Sequence, residues 1–189
     1  MRILGISGSL RRDSHNTALL RAAAELLPSG VELELFDGLR EVPPFDEDLD
    51  SPELQGPAVN ALKDAIAQAD AVLIATPEYN HSIPGVLKNA LDWASRPVKD
   101  NVLRGKPVAV VGASTGLFGA VWSQAETRKV LAAIGADVVD RELPVMQAHM
   151  QFDEYGNLHE DDLRDQLAEH VTALVEAASD CRATAGAAS

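Results

Sequence analysis

With 189 residues and 46% hydrophobic side chains, the chain is the size of one domain and can bury a sizeable core, which excludes a disordered polypeptide. No stretch approaches the ~20 consecutive apolar residues of a bilayer span. A formal charge of −13 excludes a general nucleic-acid or anionic-membrane surface, since both need a basic footprint. The single cysteine, Cys181, rules out an intramolecular disulfide and CxxC chemistry, and fits a reducing, cytoplasmic compartment.

Strand-like and helix-like segments alternate along the chain. Arg2–Ser7 is a short apolar strand running straight into polar residues, an N-terminal strand rather than a signal peptide. Thr17–Leu27 follows as a helix with Leu19, Leu20, Ala23, Leu26 and Leu27 on one face. Val31–Phe36 is the second strand. Glu41–Pro57, rich in proline and acid, reads as a long surface loop that could serve as a lid. Val59–Ala69 is helical through Val59, Leu62, Ile66 and Ala69; Ala71–Thr76 is the third strand, and Val86–Ala94 the next helix. Pro107–Gly112 is a strand, Val121–Ile134 a helix and Asp137–Leu143 a strand. Leu163–Ala177 closes the series, with Leu163, Leu167, Val171, Leu174 and Val175 in register. Small, polar residues from Ala183 onward predict a frayed end, so residues 1–180 form one domain and 181–189 a disordered tail.

Continuous apolar runs such as Ala71-Val72-Leu73-Ile74-Ala75 and Val108-Ala109-Val110-Val111 belong to strands covered on both faces. The predicted fold is therefore α/β, a doubly wound parallel sheet of about five strands with right-handed crossovers. Ligands of such folds sit beyond the carboxyl ends of the strands. The loops leaving those ends therefore decide function.

Gly8 to Asn16 leaves the first strand and opens into a helix. Ser9, Arg11, Ser14 and Asn16 supply hydroxyls, a guanidinium and an amide at a helix N-terminus, the combination a phosphate needs. A capping role explains Ser14 or Asn16 singly but not the set. Pro77-Glu78-Tyr79-Asn80 and Ser114-Thr115-Gly116 come after the third and fourth strands. There, stiff prolines and permissive glycines let main-chain groups grip a flat heteroaromatic ring.

Gly112-Ala113-Ser114-Thr115-Gly116 also matches G-x-S-x-G, so a serine hydrolase with Ser114 as nucleophile is the sharpest rival. Asp137 or Asp140 and His149 or His159 would supply acid and base. That reading leaves the Arg11 loop and Pro77–Asn80 unexplained. Gly5-Ile6-Ser7-Gly8-Ser9 does not continue as a dinucleotide fingerprint. His149, His159 and His170 match no metal-ligand spacing, and Asp153–Asn157 reads as a turn rather than a calcium loop.

Taken together, Gly8-Ser9-Leu10-Arg11 with Ser14 and Asn16, Pro77-Glu78-Tyr79-Asn80 with Ser82 and Pro84-Gly85, Leu87-Lys88-Asn89-Ala90 with Asp92-Trp93, and Gly112–Gly116 resemble the NADPH-dependent FMN reductase family. The resemblance covers about residues 2 to 178. It implies a flavodoxin-like fold, bound FMN and NADPH or NADH as hydride donor. It also implies small acceptors such as quinones, free flavin, azo dyes or chromate, reduced in ping-pong order. Ser9, Arg11, Ser14 and Asn16 would hold the FMN phosphate. Pro77, Glu78, Tyr79, Asn80, Ser114, Thr115 and Gly116 would meet the isoalloxazine. No catalytic acid or base is implied, because the cofactor carries the chemistry. A homodimer or homotetramer is implied, with helices after the second motif at the interface; the apolar face with Leu87 and Leu91 could serve it or equally be plain core. Gly119-Ala120-Val121 departs from the family where a second glycine is common. A flavodoxin-type electron carrier is the non-enzymatic alternative; its acidity fits, but aromatics to sandwich a ring are scarce, with Trp93 and Trp122 reading as core or interface.

Overall fold

The computed structural model describes residues 1–153 and 156–187. Strands β1 (Arg2–Ser7), β2 (Glu32–Phe36), β3 (Ala71–Ala75) and β4 (Pro107–Ala113) run parallel, with β5 (Asp137–Val138) at the edge in the order β2-β1-β3-β4-β5. The register pairs Ile3 with Ala71 and Val72 with Val108, so the carboxyl ends of β1, β3 and β4 finish side by side.

Strand alternation sorts the core into two layers. Leu4, Ile6, Val72, Ile74, Val108 and Val110 face helices α2 (Pro57–Gln68), α3 (Gly85–Ala94) and α4 (Val121–Ile134). Ile3, Leu73, Ala75, Ala109 and Val111 face α1 (His15–Glu25) and α5 (Asp161–Ala187). Residues of β3 and β4 are buried throughout because both sheet faces are covered, which is why their sequence shows no alternation.

Three features differ from the sequence expectations. The last predicted strand, Asp137–Leu143, is split: β5 pairs with Pro107 and Val108, and a second piece, β6 (Pro144–Val145), pairs with Gly112 and Ala113. Polar Asp140-Arg141-Glu142 leaves the sheet between them, where the Arg128 guanidinium donates to the Arg141 carbonyl and the Glu142 carboxylate. The Glu41–Pro57 loop is tied down rather than free. Trp93 Nε1 and Asn89 Nδ2 both donate to the Pro43 carbonyl at 2.8 Å, and Phe45 sits edge-on to Trp93. Finally, α5 continues to Ala187 where a frayed end is expected, as alanine, the best helix former, recurs at 183, 185 and 187. Ala188 and Ser189 lie outside the described residues.

The apolar face of α3 is core. Leu87, Leu91 and Trp93 are buried within the chain's own core, so of the two readings of this face the core one holds. Of the predicted turn at Asp153–Asn157, Glu154 and Tyr155 lie outside the described residues; around them, Asn157 donates its N–H to Asp153 Oδ1 at 2.8 Å. No helix among the described residues is long and apolar enough to cross a membrane.

Candidate functional site

Three loops meet beyond the carboxyl ends of β1, β3 and β4. The first turns tightly after β1. The Gly8 N–H donates to the Ala75 carbonyl at 2.8 Å, and a Cβ at Gly8 would stand 3.0 Å from Leu87 Cδ2 and 3.1 Å from Pro77 Cδ. Arg40 donates to the Leu10 carbonyl, and the Arg11 N–H to Ser9 Oγ, which shapes the loop. Ser14 caps α1, its Oγ accepting from the Thr17 N–H at 3.3 Å. The earlier N–H groups of that helix, at His15 and Asn16, have no intrahelical acceptor and carry the positive end of the helix dipole. The Arg11 guanidinium has no ion-pair partner among the described residues. Burial, then Arg11, then His149 lower the pKa of His15. Arg11 and the helix N-terminus thus bring positive charge to this loop within a strongly acidic chain.

The second loop folds on itself. Tyr79 and Ser82 exchange two backbone hydrogen bonds at 3.2 Å around a two-residue tip, with Asn80 and His81 at φ 54° and 60°. That is the backbone of a tight primed hairpin turn, and asparagine tolerates it well. Tyr79 is left half exposed.

The third loop is braced from behind by the β6 segment. The Ser114 N–H donates to the Val145 carbonyl at 3.0 Å; the Ala148 and Gln147 N–H groups return to the Ser114 and Gly116 carbonyls. Gly119 has φ 56°, and a Cβ there would fall 2.5 Å from the Pro144 carbonyl carbon, so only glycine fits.

Between the loops lies a cavity of about 250 Å³. Of the eleven positions named from the sequence, Ser9, Arg11, Ser14, Asn16, Pro77, Glu78, Tyr79, Ser114 and Thr115 line it. Asn80 sits at the hairpin tip and Gly116 is exposed; neither lines the cavity. Two lining side chains are committed elsewhere. Asn16 is buried, giving Nδ2 to the Ala113 carbonyl at 2.9 Å and taking the Ala113 N–H at 3.0 Å, so only its backbone N–H remains for a phosphate. Glu78 Oε2 accepts from the N–H groups of Trp122 and Ser123, which turns its carboxylate into α4. His15 also lines the cavity, stacked on Phe152 at 5.8 Å; only its place between Ser14 and Asn16 could have marked it.

The arrangement fits a phosphate-bearing flat ring. Hydroxyls, a guanidinium without an ion pair among the described residues and a helix N-terminus stand at one end, and two walls of backbone at the other. It does not fit a serine nucleophile. Ser114 Oγ accepts from the Gly116 N–H at 3.1 Å, and Ser114 is not among the residues in a strained left-handed conformation, as a nucleophile elbow would require. Asp137 pairs with Pro107 at the opposite end of β4, far from Ser114. No group of three or more His, Cys, Asp or Glu residues among those described could hold a metal ion.

A family model described as NADPH-dependent FMN reductase matches residues 1–150. The chain belongs to that family. The chain is 41% identical over 175 residues to an NAD(P)H-dependent FMN reductase of Pseudomonas aeruginosa, covering 92% of this chain and 93% of the relative. It is also 41% identical over 170 residues to a 2-hydroxy-1,4-benzoquinone reductase of a Burkholderia species, covering 88% and 90% of the two chains. Among solved structures it is similar to the flavoenzyme NAD(P)H:acceptor oxidoreductase FerB of Paracoccus denitrificans. There the TM-score is 0.81 and the identity 34%, with 95% of this chain and 97% of the other covered. The fold is flavodoxin-like, and the protein is an oxidoreductase whose cofactors are FMN and NAD(P)H. Neither the hydrolase nor the carrier alternative is favoured.

Replacing Arg11 by alanine should weaken FMN binding by about 1.5–3 kcal/mol, the range for charge-assisted hydrogen bonds, and leave riboflavin, which lacks the phosphate, unaffected. An unchanged FMN dissociation constant in a fluorescence titration removes Arg11 from the site.

Proposed function

We propose that this FMN reductase passes electrons from NAD(P)H to quinone-type acceptors at the cavity between its three loops. The observation that carries the reading is the convergence there of an unpaired Arg11 and the capped N-terminus of α1 on two backbone walls. Ser9, Arg11, Ser14 and the backbone N–H groups of His15 and Asn16 hold the FMN phosphate. The ring lies between Pro77–Tyr79 on one side and Ser114–Thr115 on the other, with Tyr79 as a partly exposed side wall; Asn80 and Gly116 lie outside the cavity lining. When bound, FMN supplies the hydride-transferring ring. The chain's part is to anchor it, neutralise its phosphate and fix the loop geometry, which requires no acid or base. Donor and acceptor would use the open side of the cavity in turn, giving ping-pong kinetics. Quinones are favoured as acceptors by the relatives' names; free flavin, azo dyes and chromate are further candidates.

The purified protein should show the visible absorbance of bound FMN and oxidise NADPH with a quinone and no added reductase. Ser114→Ala should stay yellow and keep activity within a factor of roughly two to ten, the worth of one neutral hydrogen bond. A colourless wild type that hydrolyses esters and is labelled by a fluorophosphonate at Ser114 would overturn this function.

We further infer that the whole described chain is a single FMN-binding domain acting as a cytoplasmic homodimer or homotetramer. With α3 turned inward, support comes from the third loop, the start of α4 and the segment after β6, where Leu117, Phe118, Trp122, Met146 and Met150 are exposed and Phe118 packs on Trp122 at 4.9 Å. Light scattering at micromolar concentration should return at least twice the chain mass; a monomer mass ends this inference.

A further inference from the structure

Helix α4 begins without a cap of its own. The residue at its N-cap is Ala120, in a left-handed conformation at φ 62°, with no side-chain hydrogen bond to offer. The first N–H groups of a helix still need acceptors. That of Val121 finds the Phe118 carbonyl at 3.1 Å. Those of Trp122 and Ser123 find one carboxylate oxygen, Glu78 Oε2, at 3.1 and 3.2 Å, from a residue 44 positions earlier in the chain. The cap is therefore delivered across space by the loop after β3.

The same contact is reinforced on both sides. Glu78 Oε1 lies 3.5 Å from His81 Nδ1, and the His81 ring stands edge-on to Trp122 at 4.7 Å. Ser82 Oγ donates to Glu126 Oε2 at 2.5 Å, and the hydroxyls of Thr76 and Ser123 meet at 2.8 Å. The Glu78 side chain is only 11% exposed, against 75% for His81, so the carboxylate is the enclosed centre of this stitch. It cannot turn toward the cavity without stripping α4 of its acceptor.

We propose, resting on the flavin reading above, that Glu78 is a positioning residue. By capping α4 it sets the spacing of the two loops, Pro77–Asn80 and Ser114–Ala120, whose Pro77–Tyr79 and Ser114–Thr115 stretches wall the isoalloxazine site. Its backbone belongs to one wall and its carboxylate holds the helix that ends the other. This differs from a plain stabilising cap, which would lower the melting temperature and leave ring affinity alone. It also differs from a phosphate contact, which would distinguish FMN from riboflavin.

The experiment measures dissociation constants for FMN and for riboflavin, with melting temperatures, for the wild type, Glu78→Gln, Glu78→Ala and Arg11→Ala. Glu78→Ala should weaken both flavins by the same factor, about tenfold. Glu78→Gln, whose amide oxygen can still accept from Trp122 and Ser123, should recover most of that loss. Arg11→Ala should weaken FMN alone. Glu78→Ala binding both flavins with wild-type affinity while melting lower would overturn the proposal, as would an FMN-only loss. If Glu78→Ala does not fold, Glu78→Gln decides: affinity within about threefold of wild type for both flavins upholds the proposal, and a tenfold or greater loss overturns it. A wild type that binds neither flavin would defeat the functional reading itself and, with it, the role of Glu78.

Discussion

Asn16→Ala should cost about 2–6 kcal/mol of folding free energy and loosen the site as well. The Asn16 amide, buried at 3% exposure, satisfies both the N–H and the C=O of Ala113, 97 residues away, at the carboxyl end of β4. Truncation leaves both backbone groups buried without partners, at about 1–3 kcal/mol each. Asn16→Leu should do no better, because the stranded groups belong to the backbone and not to a polar partner that could be removed with it. The phosphate loop and the Ser114 loop are joined by this pair, so FMN affinity should fall with stability. Urea unfolding provides the check. A stability change under about 0.5 kcal/mol for the alanine variant would show that Ala113 finds other partners.

The second large effect is an acid sensitivity centred on His170. This residue of α5 is 2% exposed, and its Nε2 is buried with no hydrogen-bond partner among the described residues. Burial first, then the Arg141 charge, lower its pKa from 6.5 to about 4; the Val110 backbone opposes them, and Arg128 adds to the lowering. The folded state therefore refuses a proton that the unfolded chain accepts below pH 6.5. Its contribution is intact above pH 6.5 and is lost progressively as the pH falls toward 4, since the unfolded state then binds more protons. At about 1.36 kcal/mol per unit, the loss over that window is about 3 kcal/mol. Carboxylates titrate in the same range, so the measurement is a difference. Between pH 7.5 and 4, urea stability of the wild type should drop about 3 kcal/mol more than that of His170→Leu. Parallel pH profiles for the two proteins would sink the assignment.

Much of the architecture was legible because its causes are local. The apolar runs at 71–75 and 108–111 announce strands covered on both faces, and the heptad-like spacing of Leu163, Leu167, Val171 and Leu174 announces one face of a helix. Ser14 could be read as a cap from its place before a helical pattern, and it is one. Where local pattern failed, a non-local partner or a composition effect decided. The apolar face of α3 looked the same whether it met a second copy or its own sheet, and it meets its own sheet. Alanines near the C-terminus look like a small-residue tail but continue α5 to Ala187. The break in the edge strand depends on Arg128 and Gln124 reaching across from α4, as Gln124 Oε1 accepts from the Leu143 N–H.

At the site the division is sharper. Sequence by itself determined which three loops meet beyond the strand ends, because a parallel α/β repeat puts every strand's carboxyl end at one edge, and which residue types gather there. It could not determine which side chains remain free for a ligand. Asn16 and Glu78 carry the same groups whether they bind a ligand or the backbone of Ala113, Trp122 and Ser123. Only the tertiary structure, by bringing orphan N–H and C=O groups within 3.2 Å of them, decided that these two side chains hold the loops together. The physical reason is that a buried backbone group without a partner costs about as much as a ligand contact gains, so the nearest polar side chain is recruited to satisfy it first.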